Sequence, residues 1–207
     1  MGIVEIFQKG GVMMYFILAA SIASLAVFIE KLWELSSERV VPQGFVRKVR
    51  HLMRHHDTDG ALIACKENDS PMARVIAQGL RYIHLGRPEA REAMNDVGQM
   101  EIQHLSKWIG VMGVSTTIAP LLGLLGTVLG MIKVFVDLSQ FENPAIGVLA
   151  RGIYEALITT AAGLPVGIIS FLFYTYAQSR VNRISAAMEA VAIDVMDILD
   201  SDKDESE

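Results

Sequence analysis

Three blocks of apolar residues without a single charge dominate the pattern of this chain, at 12–29, 109–132 and 156–177. In a soluble domain of this size, apolar residues would recur at helical or strand spacing instead of forming unbroken runs. Each block has about the 20 residues that a helix needs to cross a hydrocarbon core of roughly 30 Å. The pattern therefore predicts an all-α integral membrane protein with three transmembrane helices, at 12–29, 109–132 and 152–177.

The polar region between the first two spans, residues 30–108, also predicts helices and no strands. The first helix continues past the membrane to about Glu38, before Val41 and Pro42 break it. Apolar stripes and capping signals, such as Ser70 before Pro71, then predict four helices. These lie at about 45–53, 59–66, 71–86 and 87–108. The last of them carries no break signal, and we expect it to run through Trp108 into the second span.

Beyond the third span, apolar residues alternate at steps of three and four. They are Val181, Ile184, Met188, Val191, Val195 and Ile198. This heptad-like stripe predicts that the third helix continues over 178–200. The stripe fits packing within one subunit and packing against another copy equally well, so both alternatives stay open.

The remaining segments are short. Residues 1–11 form an N-terminal segment outside the membrane, 133–151 a loop with a turn at Asn143 and Pro144, and 201–207 an acidic tail that we expect to be disordered. A secretory signal peptide is the alternative for the first apolar block. Glu5 accompanies Lys9 before the block, and the block continues past its small residues, so an uncleaved span is favoured.

Charge near the spans predicts the orientation. Lys and Arg are frequent after the first and third spans, whereas the opposite side has only Lys9, Lys133 and Arg151. The positive-inside rule then places the N-terminus in the periplasm and residues 30–108 and 178–200 in the cytoplasm. We accordingly expect a multi-pass protein of the bacterial inner membrane.

Composition excludes several classes of function. The chain of 207 residues is 52% hydrophobic with a net charge of −5, and it has no basic stripe for nucleic acid. The single cysteine, Cys65, excludes an internal disulfide framework. His51 and His55 are more typical of an exposed helix face than of a metal site. No nucleophile and base pair or nucleotide motif is visible, so we expect neither an enzyme nor a cofactor.

The second and third spans each carry one face of small residues. On the second span these are Gly113, Thr116, Pro120, Gly123, Thr127 and Gly130, with Gly126 beside them; on the third they are Ala156, Thr160, Gly163, Gly167 and Ser170. Such faces allow close helix contact or line a lumen. Because a short loop joins the two spans, they are expected to be antiparallel neighbours, with Thr127 and Thr160 at similar depth.

The polar groups on these faces suggest proton transfer. Hydroxyls such as those of Thr127 and Thr160 donate and accept hydrogen bonds at once, but they do not hold a stable proton site without a carboxylate. Glu155, near the outer interface, is the only carboxylate inside the spans. The simpler alternative is that each threonine bonds only to a carbonyl of its own helix, and that Glu155 reaches the interface.

Two motifs carry a resemblance to a known family. APLLGLLGTVLGM at 119–131 and GIYEALITTAAGL at 152–164 resemble the MotA/TolQ/ExbB proton channel family, and the three spans resemble its ExbB and TolQ branch. The resemblance implies a homopentamer whose second and third helices line a pore around a dimer of a single-span ExbD/TolR-type partner. It implies pore-lining roles for Thr127 and Thr160, and a place at the pore mouth for Glu155.

The packing residues of the pore face would then be Pro120, Gly123, Gly126, Gly130, Gly163 and Gly167. Two positions depart from the family pattern. Ile169 stands where a proline is frequent, with Pro165 as a displaced kink, and Thr175 stands where an Asn follows the tyrosine.

The resemblance implies a motor subunit that uses proton-motive force to drive TonB-dependent transport across the outer membrane. A Tol-Pal type motor, coupled to a TolA-type protein, is the first alternative. A passive helical scaffold, whose glycine faces only pack helices, is the second. A flagellar-type stator is disfavoured because it would have four spans.

Overall fold

The computed structural model describes residues 11–139 and 146–204, and within these ranges every regular element is a helix. The elements in chain order are α1 (Met13–Glu34), α2 (Ser37–Val40), α3 (Gln43–Arg54), α4 (Thr58–Lys66), α5 (Pro71–Tyr82), a 3-10 turn (Ile83–Leu85), α6 (Arg87–Ser106), α7 (Ile109–Ser139) and α8 (Ile146–Asp204). The predicted all-α class is confirmed.

Three of these helices are long and apolar enough to cross a membrane. They are α1, α7 and the part of α8 that begins at Gly152. Large apolar side chains such as Phe16, Leu121 and Leu172 are more than half exposed on them. Surfaces of this kind are stable against lipid or another subunit but not against water. The three predicted spans are confirmed.

The chain forms two compact units. The membrane unit contains residues 11–30 and Trp108–Tyr176, and the polar unit contains Lys31–Lys107 and the chain from Ala177 onward. Helix α8 contributes to both units because it runs without interruption over 59 residues. This continuity confirms that the third helix extends beyond the membrane-spanning segment.

The polar unit is built from short helices around one core, and side chains cap the N-termini of α4 and α5. The Ser70 hydroxyl accepts a hydrogen bond from the N–H of Ala73 at 3.2 Å, and Asp57 caps α4 in the same way through Gly60. Arg74 on α5 holds Glu101 on α6 with two hydrogen bonds of 2.6 and 2.7 Å. The core side chains of α3 to α6 include Val49, Met53, Met72, Ile76 and Met94.

The apolar stripe of α8 is buried inside the chain itself. Val181, Ile184, Met188, Val191 and Val195 are all covered. Ion pairs tie the same helix to its neighbours in the polar unit, from Asp194 to Arg50 and from Asp197 to Arg87. Of the two alternatives for this stripe, the structure supports packing within one subunit.

The predicted continuity of two helices is wrong. Helix α1 ends at Glu34, because Ser36 takes an extended conformation (φ −78°, ψ 121°) before the short helix α2. Helix α6 ends at Ser106, since Lys107 is extended and Trp108 has a left-handed backbone with φ 68°. Neither glycine nor proline marks this second break, so the sequence carries no ordinary signal for it.

The membrane helices also extend beyond their predicted limits. Helix α7 continues to Ser139 and α8 begins at Ile146, which shortens the predicted loop over 133–151. Helix α8 runs to Asp204, into the segment that was expected to be disordered. Most of the predicted N-terminal segment and the turn at Asn143 lie outside the described residues.

Candidate functional site: the interface between α7 and α8

Helices α7 and α8 are antiparallel neighbours in the membrane unit. Ideal Cβ atoms built on their glycines show which backbones face each other: Gly123 meets Thr160, Gly130 meets Ala156, and Gly163 meets Ala119. Residue numbers rise on one helix as they fall on the other. We refer to this contact as the α7–α8 interface.

The backbones approach so closely that some positions of the interface accept only glycine. A Cβ on Gly163 would lie 2.5 Å from the Ala119 carbonyl oxygen and 3.2 Å from Gly123 Cα. A Cβ on Gly123 would lie 3.0 Å from the Thr159 carbonyl oxygen and 3.0 Å from Thr160 Cα. Because backbone atoms cannot move aside as side chains do, these glycines set the distance between the helices.

The other small residues singled out in the sequence lie at the same interface. A Cβ on Gly130 would meet Ala156 at 2.8 Å, and one on Gly167 would meet Pro120 Cγ at 2.6 Å. A Cβ on Gly126 would collide with the Thr159 side chain. Their small size is therefore explained by helix packing inside one chain, and their contribution to a pore wall stays a prediction.

The Thr160 hydroxyl crosses the interface. Its Oγ1 donates a hydrogen bond of 2.9 Å to the carbonyl of Gly123 on the other helix. The alternative in which this threonine bonds only to its own helix therefore does not describe the structure. A hydroxyl that donates a hydrogen bond keeps its lone pairs, so Thr160 Oγ1 can still accept a hydrogen bond from a protonated group. The side chain is half-buried within the chain.

Thr127 behaves differently. Its Oγ1 donates to the carbonyl of Leu124 on its own helix at 2.6 Å, which is the local bond that threonines commonly make in helices. Since Gly123 lies beside Thr160, Thr127 is about one turn, roughly 6 Å, further along α7. The Thr127 side chain is half-buried, so part of it lies on the surface of this chain.

Sequence reasoning gave Thr159 no part in this interface. This side chain is only 2% exposed. Its Oγ1 donates to Ala156 in its own helix at 2.7 Å and lies 3.3 Å from the same Gly123 carbonyl that Thr160 reaches. The only sequence signal was its place beside Thr160: two adjacent helical residues lie about 100° apart, so both can reach a helix that packs closely against them.

The spans that form this interface are poor in carboxylates. Between residues 109 and 136 the sequence has no Asp or Glu, and between 146 and 176 it has only Glu155. Glu155 occupies a helical position one turn before Thr159, but its side chain lies outside the described part of the structure. The described hydroxyls can pass a proton along hydrogen bonds but do not store one.

Two groups of the polar unit bear on the predictions about metal binding and reactive thiols. His51 and His55 contact each other edge to face with ring centroids 4.6 Å apart, and no group of three potential metal ligands exists in the described part of the chain. Burial raises the pKa of the Cys65 thiol from 9.0 to about 11, which keeps it neutral and unreactive.

Together, three membrane-length helices and a glycine-packed interface with a hydroxyl across it define a multi-span helical membrane protein. Comparison with known proteins identifies the family. The model of the MotA/TolQ/ExbB proton channel family matches residues 67–190, and the chain belongs to this family. Members of the family are ion-channel and transport subunits, not enzymes.

Individual relatives agree with this membership. An ExbB homolog of Methanothermobacter thermautotrophicus is 33% identical over 184 residues, which cover 87% of this chain and 64% of the relative. An ExbB-like biopolymer transport protein of Synechocystis is 32% identical over 169 residues, which cover 80% of each chain. The Tol-Pal system protein TolQ of Haemophilus influenzae is 34% identical over 110 residues, which cover 51% of this chain and 48% of TolQ. The chain thus spans less than two thirds of the first relative's length.

Proposed function

We propose that this chain is the pore-forming subunit of an ExbB/TolQ-type proton motor. Five copies surround a central axis, which a dimer of a single-span ExbD/TolR-type partner occupies. The complex lies in the inner membrane of a bacterium, with the N-terminus in the periplasm and the polar unit in the cytoplasm. Family membership and the three spans support this arrangement.

The observation that carries the proposal is the Thr160 hydroxyl. The hydroxyl donates its proton to the Gly123 carbonyl, with 2.9 Å between the two oxygens, so the hydroxyl oxygen is left as an acceptor at a defined place. The two spans around it contain almost no carboxylates. A carboxylic acid on the partner would supply the missing proton store and donate to Thr160. Thr127, one turn away, is the second hydroxyl on its route. Glu155 would attract protons at the outer mouth of the pore.

Proton-motive force can supply the work. One elementary charge that crosses about 100 mV yields about 2.3 kcal/mol. Successive protonation and deprotonation would change which hydroxyls the carboxylate of the ExbD/TolR-type protein binds. This change would move that protein relative to the ring. A TonB- or TolA-type protein would carry that movement across the periplasm.

We favour TonB-dependent transport over a Tol-Pal role. The relatives from Methanothermobacter and Synechocystis cover most of this chain and carry biopolymer transport names, whereas the match to TolQ covers about half of it. The Tol-Pal role is the alternative, and the TolQ match is the observation in its favour. Loss of siderophore uptake, without a defect in envelope integrity, in a strain that lacks this chain would support the first role.

Threonine-to-valine variants test the motor. Proton flux is measured with a pH-sensitive dye in proteoliposomes that contain the chain and its co-expressed partner. Thr160→Val removes a hydrogen bond to a charged or proton-bearing group, which is worth about 1.5–3 kcal/mol, so flux should fall roughly tenfold to hundredfold. Thr160→Ser should restore most of it, since serine keeps the hydroxyl.

The matched control is Thr58→Val, which makes the same exchange at the start of α4 in the polar unit, outside the membrane spans. Native mass spectrometry of each variant shows whether the ring still assembles. A passive scaffold would tolerate Thr160→Val with unchanged flux and unchanged assembly, and this result would overturn the proposal.

A further inference from the structure

A hollow of about 560 Å³ lies at the surface of the membrane unit, beside the start of α7. Its wall is mainly apolar and is formed by α7 over residues 110–118 and by two aromatic side chains of α8, Phe171 and Tyr174. The hollow opens outward, and we refer to it as the α7 hollow. Its volume lies in the range of about 300–1,000 Å³ that is typical of small-molecule sites.

Missing side chains on α7 create the hollow. An added Cβ on Gly110 would have nothing within 4 Å, so this end of the hollow is open space. An added Cβ on Gly113 would lie 3.1 Å from the Tyr174 ring, so the ring packs directly on the α7 backbone. Val114 and Ile118 line the wall and are exposed apolar side chains. The result is a recess in an apolar surface at the place where a membrane-length helix begins.

The dimensions of the α7 hollow fit one hydrocarbon chain of a lipid. Gly110 and Ile118 are eight residues apart, which corresponds to about 12 Å along a helix. One leaflet of the hydrocarbon core is about 15 Å thick, which is half of roughly 30 Å. Since the membrane-length segment of α7 begins at Ile109, the hollow covers most of the leaflet at that end of the helix.

The lining favours hydrocarbon over water. A bound water molecule needs about two to four polar partners. The Thr116 hydroxyl already donates to the Gly113 carbonyl at 2.6 Å, and most of the wall is apolar. An unfilled hollow in a bilayer would lose the dispersion contacts of its wall. A flexible acyl chain from the surrounding lipid would restore these contacts.

The end of the hollow at Gly110 suits a polar headgroup. Gly110 lies in the first turn of α7, where backbone N–H groups lack a partner in their own helix and carry partial positive charge. No acidic residue lies in this turn, so its charge is complementary to that of a phosphate. Trp108, just before the helix, is more than half exposed, and tryptophan is frequent at the level of the headgroups.

Tyr174 adds a hydrogen-bonding group at the same end. Because α7 and α8 are antiparallel, Tyr174 lies nearer to Gly110 than Phe171 does. Within the described ranges, the Tyr174 hydroxyl has no hydrogen-bond partner. It is therefore available to a phosphate or ester oxygen of a lipid.

We propose that the α7 hollow binds one acyl chain of a membrane phospholipid, whose phosphate lies at the start of α7. The inference is independent of the proposed function, since it requires only that α7 and α8 span a membrane. The acyl chain packs on Val114, Ile118 and Phe171, while the first N–H groups of α7 and the Tyr174 hydroxyl bind the headgroup. This lipid binds more tightly than the other lipids around the protein.

Native mass spectrometry tests the site on the full chain, which is delipidated and then titrated in detergent with palmitoyl-oleoyl phosphatidylglycerol. Gly110→Leu places a branched side chain in the hollow without a clash at Cβ. The affinity for the first lipid bound per chain should fall about tenfold or more. The matched control is Gly147→Leu, which makes the same exchange with open space around the added Cβ, outside the three membrane-length segments. It should bind lipid like the unmodified chain.

Two further variants keep the test decisive. Val114→Trp fills the hollow from its wall, gives the same expected loss, and replaces Gly110→Leu if that variant does not fold. Tyr174→Phe should weaken binding severalfold, whereas Tyr176→Phe, whose ring contacts Phe28 instead, should not.

Equal lipid affinity in the unmodified chain and in the variant that fills the hollow would overturn the inference. It would also be overturned if that variant broke up an oligomer in the same spectra and left the lipid count per chain unchanged, because a second copy would then cover the hollow. A complex that binds this lipid but conducts no protons would refute the proposed function and leave the lipid site standing.

Discussion

Replacing Gly163 by alanine should force α7 and α8 apart. The added Cβ would lie 2.5 Å from the Ala119 carbonyl oxygen, whereas ordinary contacts begin near 3.4 Å. The obstacle is backbone, so the helices must separate by about 1 Å or bend. The Thr160 bond to Gly123, now 2.9 Å long, would lengthen with them.

The expected cost follows from opposing terms. Overpacking in a close-packed site costs about 1–3 kcal/mol. Alanine recovers up to about 1 kcal/mol relative to glycine through its higher helix propensity. An interhelical hydrogen bond in a membrane protein is worth about 0.6 kcal/mol, and its loss adds to the cost. We expect a net destabilisation of about 1–2 kcal/mol, or a fall in Tm of roughly 2–8 °C.

Thermal denaturation of the detergent-solubilised protein, followed by size-exclusion chromatography, measures this effect. Gly147→Ala is the matched control: it lies on the same helix, and nothing comes within 4 Å of its added Cβ. We expect the control to leave Tm unchanged or slightly raised. If Gly163→Ala also matches the unmodified protein, the helices are not held by glycine contact and the described interface is wrong.

Further predictions concern the polar unit. Gly86→Ala should destabilise it by about 1–3 kcal/mol, because φ is 135° there, whereas Gly44→Ala, with open space around the added Cβ, should be neutral or slightly stabilising; chemical denaturation compares the two. Arg74→Lys should cost less than about 1 kcal/mol in the same assay, since the pair with Glu101 is half exposed on the arginine side, and a loss of several kcal/mol would show that the pair is not a surface interaction. The Cys65 thiol should stay unreactive in the folded protein at neutral pH and react on unfolding. Because burial raises its folded pKa to about 11 from 9.0, its contribution to stability is complete below about pH 9 and is lost as the pH rises through about 11, which a titration of thiolate absorbance on the folded chain checks.

The membrane spans and the start of α5 could be predicted because each depends on the type of residue at a few positions. Unbroken apolar runs define the three spans, and the cap formed by Ser70 before Pro71 starts α5 where expected. Spacings of three and four predicted the buried stripe from Val181 onward. The sequence could not decide what that stripe packs against, because burial by the same chain and burial by a copy select the same apolar residues.

Other features depend on contacts that the pattern does not encode. The left-handed backbone of Trp108 ends α6 without glycine or proline, so a helical pattern alone predicted continuity. The face of small residues was correctly located, but small size is required equally for a lumen and for close packing. Only the distance between Gly163 and Ala119 identifies the packing. The packing of Tyr174 against α7 is a further example, since its ring occupies the space left by Gly113.

The most direct test of the account is a map of the assembled complex, purified in lipid with its co-expressed single-span partner. We predict five copies of this chain around one axis, with Thr127 and Thr160 of each copy directed toward that axis. A carboxylate of the partner should lie within hydrogen-bond distance of at least one Thr160 hydroxyl. A map in which both threonines face lipid, or in which no axis is shared by several copies, would contradict the account.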